Sequence, residues 1–266
     1  MKKEDLLKFA EDDQYISGIY NYCDRWCERC PFTARCMNFA LSEEQFPDEE
    51  SHDIQNEAFW QRLSETFQVT LELLEDLAER EGIDLDAMDV EDRQEQNRLN
   101  REVAGSHKCC RMAKAYAEMV DEWFDSAREI SEQEEDASAA EMQIQIPITD
   151  PLGMSAICED AMEVVRWYQH QIYVKLMRAV GGSLREQHEP PDEFPKDSDG
   201  STKVALIGID RSIGAWGELR TCFVQYNDKV LDILVHLKIL RGNVEEAFPA
   251  AREFIRPGFD KVNLNS

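Results

Sequence analysis

Apolar residues recur at helical spacing along most of the chain, and polar, glycine or proline segments separate the longest such stretches. Between Glu57 and Glu81, the residues Phe59, Leu63, Phe67, Thr70, Leu74 and Leu77 return at steps of three and four. That spacing predicts an amphipathic helix ended by Gly82, with Glu65, Glu72, Glu75 and Glu79 on its opposite face. A second apolar line, Leu99, Cys109, Ala113, Tyr116, Val120, Trp123, Phe124 and Ala127, predicts a helix over 93–131. A third helix is predicted over 152–180, with Asp150 as its cap and Pro151 at its first position. Its stripe is Ile157, Ala161, Val164, Tyr168, Ile172 and Leu176, and Gly181-Gly182 stops it. Pro190, Pro191, Pro195 and Gly200 mark a linker, after which Ser201 or Thr202 caps a fourth helix over 202–241. Trp216, Leu219, Phe223, Val230, Leu234 and Leu237 form its stripe, and Gly242 ends it.

Convincing runs of alternating apolar and polar residues are absent. The fold class expected is therefore all-α, a bundle of about four long helices. Residues 1–41 hold a short N-terminal helix over 3–22 that runs into a cysteine-rich segment, and 42–56 form an acidic linker. The bundle is expected over 57–242, including an acidic linker at 132–149, followed by a C-terminal helix and tail over 243–266. The run Val204-Ala-Leu-Ile-Gly-Ile is not read as a strand entering a nucleotide loop, because Gly208, Gly214 and Gly217 do not fit the Gly-x-Gly-x-x-Gly spacing. These glycines are expected to admit a neighbouring helix instead.

Charge narrows the partners. The chain carries 29 basic and 55 acidic residues, a net charge of −26, which is the wrong sign for a nucleic-acid backbone. Residues 40–100 alone hold 19 acidic and 4 basic side chains, as on a solvated helix surface or a face for a basic protein partner. No apolar stretch approaches the roughly 20 residues needed to span a bilayer, so no membrane association is expected. The start, Met1-Lys-Lys-Glu-Asp-Leu, lacks the apolar core of a secretory signal, which points to the cytoplasm.

In that reducing setting, thiols are available for metals. Cys23, Cys27, Cys30 and Cys36 lie within fourteen residues at the spacing Cys-x3-Cys-x2-Cys-x5-Cys. Four thiolates so close are the ligand complement of one metal centre, an iron–sulfur cluster or a tetrahedral zinc. The first three match the ligand spacing of radical S-adenosylmethionine enzymes, but the chain offers no strands for the barrel such an enzyme needs. The last three, Cys27-x2-Cys30-Pro-Phe-x3-Cys36, resemble the Cys-x2-Cys-x5-Cys segment of SPASM-type domains over about ten residues. That resemblance implies an auxiliary 4Fe–4S cluster and no particular reaction.

The surroundings lean the same way. Arg25, Arg29 and Arg35 interleave with the ligands in an otherwise acidic chain, offering positive charge to an anionic cluster. Tyr22, Trp26, Phe32 and Phe39 can shield it, and Pro31 follows a ligand. A 4Fe–4S cluster is accordingly expected ahead of zinc, whose structural sites more often use two separated pairs. Electron transfer, redox sensing or stabilisation are the roles that follow, with a redox or protein partner.

Two further ideas compete. An acidic interaction protein with a structural zinc would use the same cysteines. A carboxylate–histidine di-metal enzyme would draw on Glu159, Glu163 and His170 of the third helix and Glu218, Asp232 and His236 of the fourth. On ideal helices, however, Glu163 and His170 point away from the main apolar stripe, and so do Glu218 and His236, as solvated side chains do. His107 reads as a surface residue. Cys109, Cys110, Cys158 and Cys222 read as small core or boundary residues. The acidic run Asp84–Asp92 lacks a calcium loop's glycine and distant glutamate and reads as a capped turn.

Overall fold

A computed structural model describes residues 3–46, 51, 53–85, 90–137, 151–187 and 196–260. Among the described residues the chain is all-helical, with eight α-helices and no strand. They are α1 (Lys3–Glu11), α2 (Met37–Gln45), α3 (Glu57–Glu81), α4 (Val90–Ser106), α5 (Lys108–Ala137), α6 (Pro151–Glu186), α7 (Asp197–Cys222) and α8 (Asn227–Ala247). None is long and apolar enough to cross a membrane. The expectations about Asp150, the linker prolines and the middle of the Asp84–Asp92 run fall outside the described residues; of the linker expected over 132–149, residues 132–137 belong to α5 and the rest lie outside the described residues.

The chain divides into two compact units, one of residues 1–97 with 255–266, the other of residues 98–254. The second unit is a helical bundle. There α5 packs on α6 and α8, and α7 packs on the same two helices, most extensively on α6. Tyr116, Val120 and Trp123 of α5, Val165, Tyr168, Ile172 and Leu176 of α6, and Leu206, Ile209, Trp216 and Leu219 of α7 are buried. Val230, Ile233, Leu237 and Leu240 of α8 complete this core. Some of its polar atoms are paired locally, whereas the Trp123 indole N–H has no hydrogen-bond partner among the described residues. The Trp216 indole N–H donates to the Tyr116 hydroxyl at 3.1 Å. The Gln169 amide donates to the Ala117 carbonyl at 3.0 Å and to the Asp121 carboxylate at 2.6 Å.

One close approach depends on glycine. A Cβ at Gly208 would stand 2.9 Å from Tyr168 Cδ1 and 3.1 Å from Ile172 Cγ1. Its hydrogen is what lets α7 lie against α6, as expected for a glycine in that run. Gly214 and Gly217 face open space and serve no such contact.

Several boundaries differ from the sequence reading. The helix expected over 93–131 is two helices. The chain turns at His107, whose Nδ1 accepts the Cys109 N–H at 3.3 Å and so caps α5. The helix expected over 202–241 is also two, α7 and α8. No glycine or proline makes that break. Phe223 and Tyr226 pack on Trp123 with ring centroids 5.2 and 6.0 Å away, and the Tyr226 hydroxyl donates to the Ser126 carbonyl at 3.1 Å. Tertiary packing of aromatic rings outweighs helix continuation there. Helix α7 begins at Asp197, so Ser201 and Thr202 are buried in its first turns and not caps. Glu186 of α6 caps it instead, accepting from Ser198 N at 3.0 Å and Ser198 Oγ at 2.7 Å.

Helix α3 matches its expected bounds. Asn56 Oδ1 accepts the Ala58 N–H at 3.0 Å, and Gly82 closes the end at φ 68°. Its neighbours do not match. It belongs to the first unit, and the stripe expected in a core is mostly exposed at Phe67, Leu74 and Leu77. Only Ala78 is buried among its described residues. On α6 the core line runs through Val165, while Ile157 is exposed.

Candidate metal centre

The cysteine segment is built from short turns. Cys27–Arg29 and Thr33–Arg35 each form one 3₁₀ turn, and each is followed by a cysteine in extended backbone. The Cys30 N–H bonds the Cys27 carbonyl at 3.1 Å, and the Cys36 N–H bonds the Thr33 carbonyl at 3.1 Å. In a 3₁₀ turn residues three apart eclipse, so the Cys27-x2-Cys30 spacing sets both thiols on one side. Cys36 then occupies the N-cap position of α2, a helix the sequence reading had not foreseen.

Between Cys23 and Cys27 the chain reverses through Arg25, at φ 59° the sole non-glycine with positive φ among the described residues. The Asp24 carboxylate accepts the Trp26 N–H at 3.3 Å and supports this turn. Holding a side-chain-bearing residue there costs about 1–2 kcal/mol, which the surrounding contacts must offset. The segment is tied across its ends as well. Ile16 N donates to the Arg35 carbonyl at 3.0 Å, and Arg35 Nε donates to the Gln14 carbonyl at 3.3 Å.

All four cysteines line one partly open pocket, together with Trp26, Phe32, Phe39 and Arg25. None of the four is in a disulfide, and each is half-buried. Burial first, and then the negative charge of the Cys23, Cys30 and Cys36 thiolates, pushes the Cys27 thiol up; Glu28 acts in the same sense. The thiols are thus near enough to feel one another's charge. Cys30 Sγ accepts the Phe32 N–H at 3.4 Å, the type of amide-to-sulfur bond that steadies a thiolate ligand. Cys23 Sγ lies 3.5 Å from the Tyr20 carbonyl. Among the described residues no group of three or more His, Cys, Asp or Glu side chains is arranged to hold a metal ion.

One wall comes from the far end of the chain. Phe259 lines the cavity and meets Phe32 edge-on, with centroids 5.1 Å apart. Gly258 adopts φ +76°, and a Cβ there would lie 2.9 Å from Ile19 Cδ1 and 3.0 Å from Ile16 Cδ1. Arg256 holds the turn. Its Nε and one terminal nitrogen each donate to Asp260 at 3.0 Å, and its guanidinium lies 4.9 Å from the Phe259 ring centroid. Sequence reasoning missed these residues. Pro257-Gly258 signals a turn, but nothing local says which cysteines that turn will meet.

The arginines divide. Arg25 lines the cavity, whereas Arg29 stacks on the Trp26 ring at 4.1 Å and Arg35 bonds the Gln14 carbonyl. The residues considered for a di-metal site do not gather. Glu159, Glu163 and His170 are exposed on α6, Glu218 is exposed on α7, and Asp232 is exposed on α8. His236 is half-buried on α8, its Nε2 2.8 Å from the Met112 carbonyl. Cys158 and Cys222 are corrected too. They form a disulfide with Cα atoms 6.2 Å apart, where the start of α6 passes the end of α7. Cys109 and Cys110 are buried, as expected of small core residues, and burial raises the Cys110 thiol to about 12.

The chain matches no protein-family model, no curated protein and no solved structure.

Proposed function

We propose that Cys23, Cys27, Cys30 and Cys36 ligate one 4Fe–4S cluster and that the protein serves electron transfer or redox sensing. The observation that carries this reading is the shared pocket, which all four cysteines line. Aromatic walls lower the local dielectric and keep solvent from the sulfurs, while Arg25 offsets part of the negative charge that a four-thiolate cluster brings. The Phe32 N–H bond to Cys30 Sγ supplies the kind of hydrogen bond that tunes a cluster's potential. When bound, the cluster would contribute one-electron chemistry. The chain's own residues orient the thiolates, exclude water and balance charge.

The test is preparation without oxygen, with iron, sulfide and zinc measured per chain. A brown protein with about four iron and four sulfide, bleached by dithionite, is the expected result. Single Cys→Ser changes should cut the iron content sharply, and the quadruple variant should have none. Colourless protein holding one zinc per chain, lost in the quadruple variant, would replace the cluster with a structural zinc. Iron unchanged in the quadruple variant would end the assignment.

A further inference from the structure

The described surface of α3 carries an apolar stripe that its own unit does not cover. Trp60, Phe67, Leu71 and Leu74 are exposed at 54%, 62%, 53% and 53%. At 100° per residue these four side chains fall within about 60° of one another along the helix. Together they offer on the order of 400 Å², a size at which exposed apolar patches on monomers are often functional. The spacing is that of a heptad seam, with Trp60, Phe67 and Leu74 seven residues apart and Leu71 between them. A seam of this length fits a helix better than a small molecule.

The two sides of the stripe differ. One is engaged. Arg62 donates to the Gln45 carbonyl at 2.7 Å, Phe59 stacks on Phe46 at 5.5 Å, and Lys3 of α1 pairs with Asp76. The other side presents Glu57, Glu65, Glu72, Glu75 and Glu79 with no basic residue among them. The Trp60 ring is fixed in place, its indole N–H donating to the Ile54 carbonyl at 2.7 Å, so part of the seam is ordered before anything binds. We infer that this face docks a basic amphipathic helix of a partner protein, apolar residues on the seam and Lys or Arg against the glutamates. A second copy of this chain is the wrong occupant, because antiparallel pairing of α3 with itself sets the two acidic rows against each other and parallel pairing sets each acidic row against the engaged side of the other copy.

The test uses the full chain and two labelled 21-residue helical peptides, both with leucine at heptad seam positions. One carries lysine at the flanking positions and the other glutamate. Fluorescence anisotropy should show the lysine peptide binding, more tightly as salt falls, and the glutamate peptide not binding. Phe67→Gln with Leu71→Gln should weaken binding at least tenfold without altering the melting temperature, since both residues are exposed. Glu72→Lys with Glu79→Lys should weaken the lysine peptide and admit the glutamate one. Binding that ignores the Phe67/Leu71 pair would be bulk attraction to an acidic protein and would overturn the inference. So would the absence of any binding, equal binding of both peptides, or self-association of the chain that the Phe67/Leu71 pair abolishes.

Discussion

Replacing Gly258 by alanine tests how the segment over 255–260 is held against the cysteine turns. Two costs arise. The backbone sits at φ +76°, where an alanine loses about 1–2 kcal/mol. The new Cβ would also meet Ile19 Cδ1 at 2.9 Å and Ile16 at 3.0 and 3.2 Å. These are side-chain tips that can shift, so crowding adds about 1–2 kcal/mol, at the low end for overpacking. The total of about 2–4 kcal/mol is a large fraction of a domain's stability, yet it should act locally by freeing this segment. The sensitive readout is hydrogen exchange at the Phe259 and Asp260 amides, both bonded to the Arg256 carbonyl at 3.2 Å. At a tenfold change per 1.4 kcal/mol, their protection should fall roughly 30- to 700-fold. Gly82→Ala is the matched control. That position has φ +68° with nothing within 4 Å, so it should show the backbone cost alone. Equal losses in the two variants, or unchanged protection at Phe259, would refute the packing of Gly258 against Ile16 and Ile19.

In a protein that takes up the proposed cluster, Arg25→Gln should lower the reduction potential by on the order of tens of millivolts, because it removes a partly screened positive charge from the pocket wall. Arg29→Gln with Arg35→Gln should shift it less, because those side chains are engaged elsewhere; redox titration in low salt reads both. Gly208→Ala should destabilise the second unit by about 1–3 kcal/mol in denaturant melts, with Gly214→Ala near neutral, since only Gly208 lies against Tyr168 and Ile172. Non-reducing peptide mapping should find Cys158 joined to Cys222. Cys222→Ser should cost up to about 4 kcal/mol by releasing the closed loop, and reductant should then have no further effect on the melt.

Helix type was legible wherever the spacing was long and regular. The bounds of helix α3 were predicted, and its end was read from Gly82, a local signal. What those helices touch was not legible. The stripe Phe67, Leu74 and Leu77 reads as core by periodicity alone, and periodicity does not say whether a partner element exists. The break at Phe223–Tyr226 was hidden because its cause is a ring about a hundred residues earlier, at Trp123. The cysteine set could be named from spacing, since both its members and the 3₁₀ turns that aim two of them are local. Phe259, Gly258 and the Arg256–Asp260 clamp could not, because that meeting is encoded by complementary shape across more than two hundred residues.

The enclosure of the cysteine cavity by residues 255–260 has a consequence for biosynthesis. The thiols leave the ribosome early, but Gly258 follows Cys36 by 222 residues. At 5–20 residues per second that interval is roughly 10–40 s. Throughout it the four sulfurs are translated but lack their last wall. Any metal centre that these cysteines take up would therefore meet a more open site during translation than in the finished chain. Truncation just before Ile255 should leave the cavity permanently in its nascent, more accessible form.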